Sequence, residues 1–269
     1  MDNVLDGMKN KTGSYTGIFE NNVINVLKTD KEIIFRGITE KDIEETVVKY
    51  FDLEFSYEKA KEKLSKIDEH LEKSIKYGEG IRILRQNLWE TIISFIISAN
   101  NNIPRIKGII ERISKKYGKK IVFDNKEYYT FPTPEELMVA SIPDLRGLGL
   151  GFRDVRVYET TKLIASQKFS LKELQESDNV GAHNCAQKRE KLLTLSGVGP
   201  KVADCIMLFG LNKKEVFPID VWIERVMNEL YGEKNKLNKK QIESLAEEKY
   251  GDLAGLAQQY LFYYIRNKK

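Results

Sequence analysis

A chain of 269 residues, 41% hydrophobic and 10% aromatic, has the apolar content for one large domain or two average ones, which excludes wholesale disorder. Two cysteines, Cys185 and Cys205, exclude a disulfide framework, and the longest apolar run, Thr91 to Ala99, falls far short of the ~20 residues a membrane span needs. The 44 Lys and Arg nearly balance 40 Asp and Glu, for a net charge of +4, so only a local excess can point to a polyanionic partner.

The opening MDNVLDGMKNKTGSY has no apolar stretch behind a basic start. No secretory signal is expected, and a reducing compartment, cytoplasm with nucleoid or nucleus, is the expected setting. Residues Tyr15–Glu20, Val23–Lys28 and Glu32–Arg36 are rich in β-branched and aromatic side chains, with Asn21-Asn22 and Thr29-Asp30-Lys31 between them. An antiparallel meander of about three strands is predicted, and it must pack one face on something else.

From Tyr57 the period becomes helical. Tyr57, Ala60, Leu64, Ile67, Leu71 and Ile75 advance by steps of three and four, the stripe of one amphipathic helix. A helix from Leu88 to about Ala99 is apolar on nearly all sides and should be buried. The next, Arg105 to Tyr117, lies in a basic stretch: Arg105, Lys107, Arg112, Lys115, Lys116, Lys119 and Lys120 face Glu111 alone. A phosphate-contacting face and an ordinary solvated helix face both fit that pattern. Thr133-Pro134-Glu135-Glu136 reads as a helix start, with a capping hydroxyl, Pro at the first position and then acids. Further helices are predicted at 153–166, 171–176, 186–194, 200–209, 221–231, 239–249 and 253–266. The fold class is therefore mainly α with a small N-terminal antiparallel β-sheet (α+β), divided into a β element over 1–55 and a helical region over 56–269.

The most informative stretch is Leu192–Cys205, LLTLSGVGPKVADC. Two helices flank Ser196-Gly197-Val198-Gly199-Pro200, a tight hairpin whose glycines let the backbone approach another molecule. The second helix opens at Pro200, so its free N–H groups and positive dipole end suit a DNA phosphate, with Gly197, Val198 and Gly199 as the contact. Lys201 sits in the first turn. Asp220 follows nineteen residues later in Phe217-Pro218-Ile219-Asp220.

This order, a hairpin lysine and then Pro-x-Asp, resembles the helix-hairpin-helix (HhH-GPD) superfamily of base-excision DNA glycosylases. Within it the chain is similar to the 8-oxoguanine DNA glycosylase/AP lyases. The resemblance runs from about residue 14 to 269, through GIRILRQ at 80–86, FIISANNNIPRI at 95–106, LRGLGLGFR at 145–153, LSGVGPKVADC at 195–205, FPIDVW at 217–222 and LAGLAQQYLF at 253–262. It implies a helix-hairpin-helix at 186–210, a Pro-x-Asp loop at 217–220 and a TBP-like N-terminal sheet. It also implies removal of 8-oxoguanine opposite cytosine in double-stranded DNA, by a monomer that needs no cofactor.

The chemistry of such a site suits these residues. Attack at C1′ with Schiff-base formation requires an amine, and the dipole and partial burial at a helix start favour the neutral amine. By resemblance Lys201 is that nucleophile. Asp220 can cap the helix that follows and stabilise positive charge developing on the sugar. Cys205, four residues after Lys201, shares its helix face; by resemblance it borders the base pocket, although a small core residue fits there equally well. Gln258 and Phe262 match the residues that read and stack the extruded purine. Asn100, Arg105 and Arg153 match those that engage the widowed cytosine, and Phe152 stands at the intercalating wedge. Asn101 matches a neighbouring structural amide.

Some family features are missing. The Gly-Gln-x-Phe-Arg-Trp segment that precedes the first matching strand in the family is not found in this sequence, so a truncated sheet or altered lesion discrimination is expected. Trp222 replaces a phosphate-contacting His common in the family. With no cysteine after Cys205, no iron–sulfur cluster is expected. His70 and His183, the only histidines, give no metal site, whereas a monovalent cation at the hairpin carbonyls is compatible with the resemblance. A non-enzymatic helix-hairpin-helix DNA-binding protein is the rival reading, along with a glycosylase/lyase for a different damaged base.

Overall fold

The computed structural model describes residues 8–9, 13–19, 22–39, 42–176, 182–232 and 236–267. In chain order the elements are β1 (Met8–Lys9), β2 (Tyr15–Phe19), β3 (Asn22–Lys28), β4 (Ile33–Arg36), α1 (Tyr57–Ser65), α2 (Glu69–Tyr77), α3 (Leu88–Ser98) and α4 (Ile103–Tyr117). There follow β5 (Lys120–Phe123), β6 (Lys126–Tyr129), α5 (Pro134–Leu137), α6 (Ile142–Gly147), α7 (Asp154–Ala165) and α8 (Leu171–Glu176). The last five are α9 (Ala182–Leu193), α10 (Pro200–Gly210), α11 (Val221–Tyr231), α12 (Lys239–Tyr250) and α13 (Ala254–Asn267). They form two compact units. One contains the described residues within Met1–Val47, Asn87–Asp178 and Thr194–Gly197, the other those within Val48–Gln86, Asn179–Leu193 and Val198–Lys269.

In the first unit β1 to β4 form an antiparallel meander in sequence order. The predicted strands appear, with β1 as a fourth. Tyr15 faces Val26 across β2 and β3, and Asn25 faces Arg36 across β3 and β4. Asn25 is a buried amide in this sheet. It is satisfied by donating to the hydroxyls of Ser14 at 3.0 Å and Thr16 at 2.8 Å, as a buried polar group must be. A second sheet, the β5–β6 hairpin, was not expected. Its two-residue turn is Asp124-Asn125, both at positive φ (47° and 59°), the backbone a tight hairpin of this twist requires. Helix α3 is buried as predicted, with Ile92, Ile93, Ile96 and Ile97 sealed from solvent. It packs against α4 and α7, and α7 also covers α5 and α6.

In the second unit the apolar stripe from Tyr57 to Ile75 is not one helix. Asp68 breaks it: its carboxylate accepts the N–H groups of His70 (3.0 Å) and Leu71 (2.9 Å) and so starts α2 anew. A capping side chain competes with helix continuation, and here it wins although the hydrophobic period runs through. The other oxygen of Asp68 accepts from the Tyr231 hydroxyl at 2.7 Å. Helix α13 packs against α2, α11 and α12, and α9 against α10.

The same unit buries Asp52. Its side chain accepts from Tyr57 Oη at 3.0 Å and Arg85 Nε at 2.7 Å and pairs with Lys214 Nζ at 2.9 Å. Burial alone would raise the Asp52 pKa, but the bonds from Lys214, Arg85 and Tyr57 outweigh it and hold the carboxyl below its ordinary value.

Candidate active site

Helices α9 and α10 with residues 194–199 form the predicted helix-hairpin-helix, α9 starting a turn earlier than expected. Gly197 has φ +85° and a Cβ there would lie 2.8 Å from Arg156 Cδ, so turn geometry and space both demand glycine. Gly199 is the N-cap of α10 and contributes no side-chain hydrogen bond. The first amides of α10 therefore have no side-chain cap, which is the arrangement that receives an anion. Val198 is buried, so any phosphate contact it makes is through its backbone.

Lys201 is half-buried in the first turn of α10. It lies within hydrogen-bonding reach of the Cys205 thiol one turn on, the pairing that their spacing allows. Burial pushes the thiol's pKa up; Lys201 pulls against that, while Asp204 and Asp220 add to it. Amine and Asp220 carboxylate thus both act on one buried sulfur.

Asp220 is the N-cap of α11. Its Oδ1 accepts from Trp222 N at 3.0 Å and Ile223 N at 2.8 Å. Phe217, Pro218 and Ile219 before it are buried, so the loop enters the helix from a fixed base. Gln258 on α13 is buried and donates its amide to the Pro218 carbonyl at 3.2 Å, while its own oxygen accepts from Gln259 Nε2 at 2.5 Å. The structure thereby ties the proposed base reader to the loop that carries Asp220, and the Pro218 carbonyl is an acceptor that no local pattern singles out. Phe262, one turn along α13, is half-buried with the Arg266 guanidinium 5.7 Å from its ring centre.

The residues expected to meet the opposite strand lie in the first unit. Asn100 is exposed at φ +51°. Arg105 is exposed and donates to Gly149 O at 3.2 Å, and Phe152 leaves 55% of its surface in solvent. Asn101 braces the turn by donating to Ile97 O at 3.0 Å. Arg153 differs from an open reading head. It is 2% exposed and donates Nε to Ala99 O at 2.8 Å and its terminal nitrogens to Ala99, Asn100 and Leu150 carbonyls at 2.5 to 3.2 Å. Burial, and then Arg105 and Arg156, push its pKa down. Like charges held this close favour the arrival of a polyanion. Arg156, not anticipated, has its guanidinium 5.1 Å from the Phe152 ring centre, and Arg153 has its own at 4.3 Å; the four-residue spacing of Phe152 and Arg156 was the available signal.

The basic stretch of α4 is largely engaged within the protein. Lys116 pairs with Asp144 at 2.7 Å, Lys119 with Glu136 at 3.5 Å, and Lys120 with Glu127, while Arg112 donates to Leu148 O at 2.9 Å. Among the described residues no cluster of His, Cys, Asp or Glu could hold a metal ion, and no helix is long and apolar enough to cross a membrane.

Comparison with known proteins completes the picture. Residues 7–92 match the 8-oxoguanine DNA glycosylase N-terminal domain, and residues 93–251 match the HhH-GPD superfamily of base excision DNA repair proteins. A "Probable N-glycosylase/DNA lyase" of Methanothermobacter thermautotrophicus is 34% identical over 249 residues, 85% of this chain and 77% of that protein. The Clostridium acetobutylicum 8-oxoguanine glycosylase/lyase, solved with double-stranded DNA containing cytosine opposite 8-oxoguanine, is 39% identical with a TM-score of 0.90, covering 97% of this chain and 88% of that one. A structure of MBOgg1 with a low-affinity DNA ligand is also 39% identical, with a TM-score of 0.92 over 99% and 90% of the two chains. With its hairpin lysine, Pro-x-Asp loop and this matched domain pair, the chain belongs to the HhH-GPD superfamily of base-excision DNA repair proteins and carries the N-terminal domain of its 8-oxoguanine DNA glycosylases.

Proposed function

We propose that the chain removes 8-oxoguanine from opposite cytosine in duplex DNA and then cuts the strand. Lys201 Nζ attacks C1′ of the extruded nucleotide, the bond to the base breaks with its electron pair leaving on the purine, and the amine loses its protons to form an imine as the sugar ring opens. Loss of a C2′ proton then expels the 3′-phosphate by β-elimination. The observation that carries this reading is the placement of Lys201 in the first turn of α10 behind the hairpin and of Asp220 as the N-cap of α11, on a loop that Gln258 ties down by donating to the Pro218 carbonyl at 3.2 Å. A nucleophile for C1′ and a charge that stabilises an oxocarbenium-like sugar are the two groups the reaction needs. The names of the matched glycosylase/lyases support the lesion and the double-stranded partner.

Gln258 reads the base edge after exchanging the Pro218 carbonyl for it, and Phe262 covers the ring. Phe152 enters the stack as a wedge without a hydroxyl. Asn100 and Arg105 reach the widowed cytosine, and Arg153, through its bond to Asn100 O, sets the turn from which they do so. Gly197, Val198 and Gly199 take a phosphate. The hairpin oxygen of Gly199 accepts from Ala203 N at 2.9 Å and keeps a lone pair with which a hairpin carbonyl can hold a monovalent cation.

Borohydride trapping tests the proposal, using duplexes with 8-oxoguanine opposite cytosine beside duplexes with an abasic site. A covalent adduct on both, lost in Lys201→Gln while duplex binding persists, is expected. An adduct on the abasic site alone assigns a different lesion. No adduct on either leaves a non-enzymatic DNA-binding protein.

A further inference from the structure

Consecutive residues on a helix do not face each other, yet on α13 the side chains of Gln258 and Gln259 meet. Gln259 Nε2 donates to Gln258 Oε1 at 2.5 Å. Gln258 is buried and Gln259 half-buried. The other end of the Gln258 amide donates to the Pro218 carbonyl at 3.2 Å. A carbonyl oxygen only accepts, so the Gln258 atom that meets it is the nitrogen. The opposite end is then the oxygen, and Gln259 has to offer it an N–H. The row therefore has one polarity, from Gln259 through Gln258 to Pro218. Turning the Gln258 amide over would set oxygen against the Pro218 oxygen and nitrogen against the Gln259 nitrogen, leaving two hydrogen bonds unmade at a buried group.

Polarity is what an amide needs to tell one purine from another. On its Watson–Crick edge a guanine-type base offers a donor at N1 and an acceptor at O6, whereas an adenine-type base offers an acceptor at N1 and a donor at N6. An amide free to turn over pairs with either. One held in a single sense pairs with the first and meets the second donor to donor and acceptor to acceptor. We infer that Gln259 is the positioning residue that holds Gln258 in the sense that accepts from N1 and donates to O6, and so sets a preference for guanine-type over adenine-type lesions. That assignment rests on the glycosylase reading, in which Gln258 gives up the Pro218 carbonyl for the base. Once that bond is exchanged, the bond from Gln259 still sets the sense of the amide. Oε1 keeps its second lone pair for the N1 proton, and Nε2 turns its released N–H to O6.

Three variants of the full-length protein separate polarity from packing. Gln259→Leu removes the donor, Gln259→Lys keeps one, and Gln259→Glu puts an acceptor in its place, which favours the reversed amide. Single-turnover base removal is measured on duplexes with 8-oxoguanine and with 8-oxoadenine, both opposite cytosine. Borohydride trapping on an abasic site, which has no base to read, runs in parallel and reports that each variant is folded. Removal of 8-oxoguanine is expected to fall roughly tenfold in Gln259→Leu and further in Gln259→Glu, while Gln259→Lys stays within about threefold of the parent. The rate on 8-oxoadenine relative to 8-oxoguanine should rise in the order Gln259→Lys, Gln259→Leu, Gln259→Glu, with abasic trapping the same in all three. If the variants act on 8-oxoguanine alike, all as the parent or all slowed together, the side chain packs without orienting Gln258. The assignment is then overturned while the glycosylase reading stands. If the parent traps the abasic site but leaves 8-oxoguanine in place, or traps neither, it is that reading which fails.

Discussion

Asp220 caps a helix, and the catalytic role proposed for it is a second job that one substitution separates from the first. Its Oδ1 caps α11 by accepting two amides, and asparagine caps a helix about as well as aspartate. Asparagine brings no charge to the sugar. Asp220→Asn is therefore expected to keep stability within about 1 kcal/mol while single-turnover base removal falls roughly 100-fold or more. A melt and a quench-flow series check it, and equal loss in both would make Asp220 a cap and nothing else. Gly197, in the hairpin proposed to take a phosphate, is bound by backbone conformation. At φ +85°, with Arg156 and Ile96 against the missing Cβ, Gly197→Ala should cost roughly 1–2 kcal/mol and weaken duplex binding; urea unfolding and filter binding report the two effects. At this scale the sequence announced what depends on local spacing: Lys201 with Cys205 four residues on, Gln258 with Phe262, Asp220 before a helix. It did not announce the burial of Arg153. That depends on Ala99 O, 54 residues earlier in the chain, and no local pattern records such a partner.

Element boundaries were legible where a capping chemistry marked them. Thr133 and Ser141 both close capping boxes, yet only the first was read, because α6 is six residues long and shows too little period. The β5–β6 hairpin was hidden for the same reason, each strand being four residues. The break at Asp68 was masked by a stripe that continues through it. Helix α3 carries a prediction of its own. Glu90 is its third residue, below the Asn87 cap that accepts its N–H at 3.1 Å. The helix dipole favours a charge there by about 0.3–1 kcal/mol, but burial dominates and pushes the carboxyl up to about 7. In the unfolded chain the value is ~4.3, so between about pH 4.3 and 7 the folded state keeps a proton that the unfolded state has released. Stability therefore falls as pH rises through that window and levels off above it. Glu90→Gln removes the effect and should be the more stable protein at pH 8, by roughly 1–3 kcal/mol, with the advantage shrinking as pH falls towards 5. Denaturation at the two pH values measures it, and a pH-independent difference would mean that Glu90 is paired in the folded protein.

At the scale of the molecule, the basic stretch that begins in α4 is tied internally, with Lys116, Lys119 and Lys120 pairing with acids elsewhere in their unit. The most consequential tie was invisible in sequence: Asp52 and Lys214 lie far apart, the first at the end of the predicted β element and the second between two predicted helices. Lys214 meets Asp52 and donates to Asn212 Oδ1 at 2.7 Å, and its carbonyl accepts from Gly255 N at 2.7 Å. Gly255 has no room for a side chain, since a Cβ would lie 2.5 Å from Leu208 Cδ1 and 2.9 Å from Val216 O. One buried ion pair thus anchors the segment that joins α10, with Lys201, to α11, with Asp220, and fixes it to α13, with Gln258. Removing one partner strands a buried charge, so Asp52→Asn should destabilise by about 3–5 kcal/mol, and adding Lys214→Met should recover much of it. Asp52 is held below its ordinary pKa, so its contribution is full above the unfolded value of ~3.9 and is lost as pH falls through the lower folded value. The parent should accordingly lose stability in acid more steeply than the double variant. If stability recovers in the double variant while base removal stays slow, the ion pair sets the geometry of the Asp220 loop; if both recover, apolar packing at these two positions positions the loop equally well.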